Sequence, residues 1–492
     1  VLSYEELTSP EREVWDAYPT GHPTDLRVRG PEDDPESGET WGPERTVRAT
    51  VLATLLLGAN PGRAEVVPAL RLTGARISGR LDLSGAEIAH GLWLEDCWFE
   101  QGISAYGAAT RTIGLSGSRI PGIDATMARI AGRLELRGSA VRGRVSLVNA
   151  RIAGELVLSD ATLCAPGEWA LFAGGLVMEG GAFLHRSIVH GGIRLPGAQL
   201  PGGLSMKEAR VHNPGSHAVI ADHARASTMA FTRGFTAQGT IRLRGAQIAD
   251  QLAFDNAVLG AEGTALDCTR MQAGDFVFTP AAPPSGAVDL RGARVATLHD
   301  RDGTWPDVVR LQGFTYDALL EDNPTAQDSV VRRVAWIRRD PGYVPRQYEQ
   351  LATWYRQIGH DDDARRVLLA KQRHRRSTLS PAGRAWSHMI DAMVGHGYRP
   401  WLAGIWIAAL TVLGTVVFST QTPEQVQKDQ GPPFHALVYT LDLLIPIGGL
   451  GQRSAWYFST GAAQWLAYAL IAAGWLLTTA VVAGVTRALS KN

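Results

Sequence analysis

From Leu70 to about Leu311, apolar and polar residues alternate in short pieces that recur every eleven positions. The register reads Leu70-Arg-Leu72-Thr-Gly-Ala75-Arg-Ile77, then Leu81-Asp-Leu83-Ser-Gly-Ala86-Glu-Ile88, then Leu92-Trp-Leu94-Glu-Asp-Cys97-Trp-Phe99. It returns at Leu134, Val145 and Leu156, at Ile193 and Leu204, and at Ile241 and Leu252. Alternation of this kind means strand, with one set of side chains inward and Arg, Asp, Glu or Ser outward. Pieces of three residues bury too little to hold an ordinary sheet. Stacked coil upon coil they bury a continuous apolar column, so the pattern predicts an all-β solenoid. If two elevens close one coil, about a dozen coils at ~4.8 Å spacing span roughly 50–60 Å. Gly79, Gly91, Gly132, Gly143, Gly154, Gly192, Gly203 and Gly239 are then expected at corners. The register breaks at Cys164–Gly175, His212–Thr228 and Pro280–Gly286, which predicts corner insertions projecting from the stack, where binding would be placed. His212, His217 and His223 share one break, but their spacing fits no recognised ligand pattern and no metal site is expected.

Helical spacing brackets this region. Glu44–Leu57 carries an apolar stripe through Val47, Val51 and Leu55, which predicts a helix capping the first coil. After Asn323-Pro324 the alternation ends, and Ser380–Gly397 places Trp386, Met389, Ile390 and Met393 on one helical face, as in a helix lying on a membrane surface. The expected organisation is a helical cap over 1–66, a solenoid over 67–320, a helical collar over 321–379, an interfacial helix over 380–399 and a membrane domain over 400–492.

Charge defines that last domain. The 492-residue chain balances 48 basic against 48 acidic residues, which argues against a surface built for nucleic acid. Yet no charged residue lies between Arg399 and Glu424, or between Arg453 and Arg487. Within these windows, spans of about 401–418 and 462–485 are long enough to cross a bilayer. Arg373, Arg375, Arg376, Arg384 and Arg399 crowd the approach to the first span, and Arg487 and Lys491 follow the second. The positive-inside rule puts both termini and the solenoid in the cytoplasm, with the basic crowd facing anionic lipid. The first thirty residues are polar and acid-rich, so no secretory signal is expected there. Cys97, Cys164 and Cys268 are far apart and lack metal-type spacing, so they read as packing residues in a reducing compartment.

Between the spans, Pro432-Pro433 precedes an apolar stretch, Phe434–Leu444, that stops at Pro446 and the cluster Gly448-Gly449-Leu450-Gly451. About eleven residues give ~17 Å, half the ~30 Å hydrocarbon core. The segment 434–451 can enter a bilayer but not cross it. Gly-rich backbone at that depth survives only against protein or a wet cavity. The helix would point its negative C-terminal end toward the membrane middle and favour a cation there. Candidate pore residues are therefore Thr440, Asp442, Ile447, Gly448, Gly449 and Gly451. Gly474 and Gly484 are candidate hinges in the second span, and Thr478 and Thr479 candidate lining residues.

The eleven-residue region resembles pentapeptide-repeat and bactofilin-like right-handed β-helices, with Ala75, Ala86, Ala150 and Ala246 in the small inward slot, although strict pentapeptide repeats have a spacing of ten. Cys97 occupies the same slot. Tyr348-x-x-Leu351-Ala352-x-x-Tyr355, with Gly359, Ala364 and Leu368, resembles one tetratricopeptide helix-turn-helix unit, with Lys371 at a position where a small residue is usual. Span, half-crossing helix, Gly-rich loop and span resemble the pore domain of tetrameric cation channels, but the potassium signature Thr-Val-Gly-Tyr-Gly is absent. The whole chain resembles a family of GC-rich bacteria often labelled membrane-associated oxidoreductase. No nucleotide-binding, metalloprotease, hydrolase or redox motif supports an enzyme or a cofactor. Two readings remain. One is an oligomeric pore of four or more subunits with a solenoid that senses or assembles, by analogy with channels. The other is a membrane-tethered scaffold without transport activity, whose solenoids stack into polymers or recruit a cytoplasmic protein partner through their sides, with Asp442 paired to Arg453 or a backbone amide.

Overall fold

In a computed structural model the alternating region forms a parallel β-solenoid of about 11 turns, with helices following it. The structure describes residues 3–60, 66–321, 329–376, 379–381, 383, 401–427, 432–446, 449–459 and 461–489. It divides into two compact units, Val1–Gln350 and Leu351–Asn492.

In the first unit, one inward column shows how the repeat folds. Leu70 pairs with Leu92, and the ladder continues through Ile113, Leu134, Leu156, Ala182, Leu204, Met229, Leu252, Phe276, Leu298 and Leu319. Every member is buried, and burying a side chain of this size contributes about 1.5–3 kcal/mol. The first steps take 22 and 21 residues, close to the two elevens expected. Leu156 to Ala182 takes 26, because the coil between them is longer.

The extra residues form turns inside long strands. Thr162–Phe172 pairs with Ile188–Arg194 on both sides of an unpaired bulge between Cys164 and Trp169. Arg210–Ile220 does the same around His212 and His217. Their tips are Ala165-Pro166-Gly167-Glu168 and Asn213-Pro214-Gly215-Ser216, with Gly167 and Gly215 at φ 75 and 72. Pro fixes the turn entry and Gly accepts the left-handed exit. The expected insertions at Cys164–Gly175 and His212–Thr228 are thus short bulges with exposed tips rather than independent loops. At the third break, residues 279–284 do lie outside strands.

Of the glycines expected at corners, Gly79, Gly203 and Gly239 have positive φ, and Gly192 lies inside strand Ile188–Arg194. Gly91, Gly132, Gly143, Gly154 and Gly192 are not left-handed. Gly132, Gly143 and Gly154 do sit at bends between strands, and a Cβ on Gly154 would meet Gly132 O at 2.6 Å, so glycine there permits close stacking of coils. The left-handed residue is the one before the small slot: Gly74 before Ala75, Asp96 before Cys97, Met127 before Ala128, Asn149 before Ala150 and Gly245 before Ala246. Where the slot holds serine, its hydroxyl returns to a carbonyl of the preceding coil: Ser118 Oγ donates to Leu94 O at 2.8 Å and Ser139 Oγ to Leu115 O at 2.6 Å. Cys97 is fully buried there, and burial pushes its thiol up to about 12, so it packs as a small apolar group.

Both ends of the stack meet other structure. Helix α1 (Ser9–Ala17) precedes a strand, Thr24–Asp25, that pairs with Leu72 and Thr73. A second strand, Thr46–Arg48, pairs with Arg76–Ser78 and leads into α2 (Ala49–Leu56), whose Val51, Leu52 and Leu55 are fully buried. Glu11 on α1 ties these pieces together. Its carboxylate accepts from Arg48 N, Nε and Nη2 at 3.0, 2.7 and 2.7 Å, and from Thr8 N at 2.9 Å. Burial would raise this carboxyl, but Arg48 and the two amides hold it below its ordinary range.

At the far end α3 (Ser329–Ile337) and α4 (Pro345–Gln357) follow the last coil. Edge groups of that coil bond to them and to their connection. Val309 N donates to Arg339 O at 3.1 Å, Leu311 N to the Asp340 carboxylate at 2.7 Å, and Gln350 Nε2 donates to Tyr316 O at 2.9 Å. The aromatic core also continues into α3, since Phe278 lies 4.4 Å from Trp305 between ring centroids, and Trp305 lies 5.6 Å from Trp336.

The second unit holds α5 (Asp361–Arg375), α6 (Trp401–Ser419), α7 (Ala436–Leu444), the single turn α8 (Gln452–Ala455) and α9 (Ala462–Leu489). Asp361, Asp362 and Asp363 occupy the positive start of α5, and the preceding Gly359 is left-handed at φ 82. The interfacial helix expected over 380–399 falls almost wholly outside the described residues.

Candidate functional site

The expected pore residues fall between α6, α7 and α9. Phe418 of α6 stacks on Phe458 and meets Tyr439 of α7 edge-on, both at 5.1 Å, and Leu443, Leu444, Ala463, Ala467 and Leu470 complete the buried cluster. Two glycines let the helices approach. A Cβ on Gly414 would meet Thr440 Cγ2 at 2.4 Å, and one on Gly474 would meet Leu444 O at 2.2 Å. Gly474, a candidate hinge by sequence, therefore seats the C-terminal end of α7 against α9. Thr440 is fully buried and donates to Ala436 O at 2.8 Å, which satisfies its hydroxyl within α7.

Asp442 is 1% exposed. One carboxylate oxygen accepts from Leu450 N and the other from Arg453 N, both at 2.8 Å. Arg453 is engaged through its backbone, while its side chain is exposed. The acid on α7 thus ties the loop that follows it and satisfies an amide in the first turn of α8. This has a geometric consequence. No peptide here is cis, so the carbonyl of Gly449, in the same plane as Leu450 N–H, points away from Asp442. Gly449 is exposed, and a Cβ there would meet nothing within 4 Å.

Gln452 was not singled out by sequence. It is 3% exposed, donates to Pro433 O at 2.9 Å and accepts from His435 N at 3.3 Å, which closes the loop onto the start of α7. Trp456 Nε1 adds a bond to Pro432 O at 2.9 Å. The available signal was an amide side chain directly after Gly451, opening the polar run Gln452-Arg453-Ser454.

The other candidates are scattered. Thr478 is half-buried, and Thr479 is exposed and bonds to Trp475 O at 2.7 Å. Gly484 lies within α9. Gly451 starts α8 in the left-handed region. Ile447, Gly448, Arg384 and Arg399 lie outside the described residues. Arg373 and Arg375 are exposed in the last turn of α5, and Arg376 is half-buried just after it.

Among the described residues one stretch, Ala462–Thr479, is long and apolar enough to cross a membrane, with a mean hydropathy of 1.2. The apolar stretch of α6, Gly404–Ser419, is shorter. The nine residues of α7 rise ~14 Å, about half a bilayer core. No group of three or more metal-ligating side chains occurs among the described residues. No family model, curated protein or solved structure matches the chain.

Proposed function

We propose that the chain is a subunit of an oligomeric membrane protein, with α6 and α9 in the bilayer, α7 half-inserted, and the Gly449–Gly451 backbone facing an axis shared by several copies. The observation that carries this reading is the outer surface of the helical unit. Val412 is 64% exposed, Trp465 75% and Trp475 58%, on helices that bury Thr440 and Asp442. In water such a surface invites aggregation, whereas in lipid or against other copies it is satisfied. The carbonyl direction set by Asp442 supports a loop that presents oxygen atoms to a cation. In this reading both termini and the solenoid are cytoplasmic, with Arg373 and Arg375 near anionic head groups. The solenoid senses or assembles, and the helices at its two ends cap its strand edges.

A tethered scaffold is the second reading, favoured by the fact that Asp442 already has two partners within one chain. Counting subunits of the full-length protein in lipid nanodiscs by mass separates the two. A pore loop needs on the order of four copies around an axis. A closed ring of that size supports the pore and makes cation flux the next measurement, whereas a monomer or dimer overturns it and leaves the scaffold.

A further inference from the structure

One strand ladder on the side of the solenoid begins with Arg76, Trp98, Arg119 and Ala140, one outward residue per coil. The chain covers these coils itself. Residues 31–41 hold five carboxylates and no basic side chain, and they lie across the ladder. Glu36 bridges two coils, accepting from Arg119 Nε at 2.6 Å and from Arg142 Nη2 at 3.1 Å. Arg76 Nη1 donates to Glu39 O at 3.0 Å. Gly38 lies against Trp98, so closely that a Cβ on it would meet Trp98 Cβ at 2.2 Å. This side of the stack thus holds an acidic, irregular segment by a carboxylate shared between two donors and by backbone laid on an apolar side chain.

Beyond Ala140 the ladder continues through Thr162, Ile188, Arg210, Thr236 and Val258. Four coils after Trp98 and Arg119, their places are taken by Ile188 and Arg210. Gln238 stands to Arg210 as Arg142 stands to Arg119, one coil on and two residues along the strand. The arrangement of apolar residue, guanidinium and second donor therefore recurs, and here it is uncovered. Ile188 is 38% exposed and Val258 46%, while Arg210 and Gln238 are exposed and have no side-chain hydrogen bond or ion pair among the described residues. The second outward row reads Cys164, His190, His212 and Gln238, so these strand surfaces carry no carboxylate. Carboxylates stand at the edges, where Asp160 is held by Arg186 and Glu168 by Arg144, and Glu208 and Glu262 are exposed.

We propose that this second place on the ladder docks an acidic segment of a partner protein, in continuation of the seat that residues 31–41 occupy. A carboxylate of the segment bridges Arg210 and Gln238, and a glycine or other small residue two positions later lies on Ile188, as Glu36 and Gly38 do on the covered coils. The distance from Ile188 to Gln238 is two coils, ~10 Å, which about three extended residues span. An exposed ion pair contributes little alone, so a single segment is expected to bind with a Kd of about 0.1 mM. The proposal does not depend on the helical unit entering a membrane.

The test is fluorescence polarisation of a labelled peptide carrying residues 31–41, titrated with the purified full-length protein. Saturable binding is expected. Arg210→Glu in the protein, or Glu36→Gln in the peptide, should weaken it about tenfold, and Gln238→Ala about threefold. Both protein positions are exposed, so neither variant disturbs the core. Arg129→Glu, an exposed change on the other sheet, should leave binding as it is. Absence of saturable binding up to about 2 mM overturns the proposal. Binding that survives Arg210→Glu but falls with Arg142→Glu also overturns it, because the peptide then exchanges with residues 31–41 at their own seat. An equal loss with Arg129→Glu overturns it as unspecific attraction between charges.

Discussion

The two units of this protein both bury an apolar core but present different surfaces. In the solenoid the inward column is apolar and most charges lie outside, so Leu136, Val141 and Leu158 are fully buried while Arg129 and Arg151 on neighbouring strands are exposed. In the helical unit Val412, Trp465 and Trp475 face out, while Thr440, Asp442 and Gln452 are buried beside the apolar cluster around Phe418. Water dictates the first arrangement through the hydrophobic effect. The second suits the lipid or neighbouring copies proposed above, and it requires that every buried polar group find a partner. The hydrogen bonds of Asp442 and Gln452 meet that requirement within one chain.

The strongest way to break this comparison is to put the same charge on each kind of surface. Val141→Asp in the solenoid core is expected to cost more than about 4 kcal/mol and to unfold the stack, read by the loss of β-sheet circular dichroism. Val412→Asp sits on an exposed position and should be harmless if water surrounds it. In a bilayer it should cost about 2.5–3.5 kcal/mol and reduce insertion, measured by membrane fractionation. A harmless Val412→Asp would end the membrane reading.

Next in size is Asp442→Ala, which leaves the part-buried amides of Leu450 and Arg453 without their acceptor. At about 1–3 kcal/mol each, a loss of ~2–6 kcal/mol is expected in the helical unit, seen as early proteolysis around Leu450–Arg453. Asp442→Asn retains one acceptor and should lose about half as much. If both variants behave as wild type, the carboxylate does not hold the loop.

Gly474→Ala tests the contact between α7 and α9. Its methyl would sit 2.2 Å from Leu444 O, and accommodating it should cost about 1–3 kcal/mol in thermal unfolding. A hinge role without close packing would instead leave stability unchanged and alter conformational exchange.

A smaller effect is expected at Glu11. Its carboxyl is held below the ordinary value, so the stability it contributes is present above the unfolded-state pKa of about 4.3 and lost as pH falls through the lower folded value. Glu11→Gln should therefore destabilise the N-terminal segment at neutral pH and flatten its response to acid, measured by hydrogen exchange in α1. Smallest of all, Met127→Gly relieves a bulky residue at φ 59. The strain removed and the entropy of glycine largely offset each other, leaving a gain of up to about 1 kcal/mol in melting experiments.

The same contrast governs how much could be read from sequence. The solenoid was legible because its units are nearly identical and touch only their neighbours, so a local period of eleven specifies the three-dimensional contact. Its corners were read less well. The glycines conspicuous in the sequence, such as Gly132 and Gly154, turned out to serve coil stacking, and the left-handed position is shared by Gly, Asn, Asp, Met and Arg. Handedness there is imposed by the coil on whatever residue occupies it.

Alternation, charge-free windows and a half-length apolar segment are properties of the chain, and the sequence alone determined the solenoid, the apolar helices and the prominence of Asp442. Which groups Asp442 holds, why Gly474 must lack a side chain, and how Arg333 reaches Asp300 across 33 residues were decided only by the tertiary structure. These depend on distance and direction between segments with no repeating relation in sequence. A residue's type says that a buried acid or indole needs a partner, but only the packing of helix against strand, or loop against helix, determines which atom that partner is.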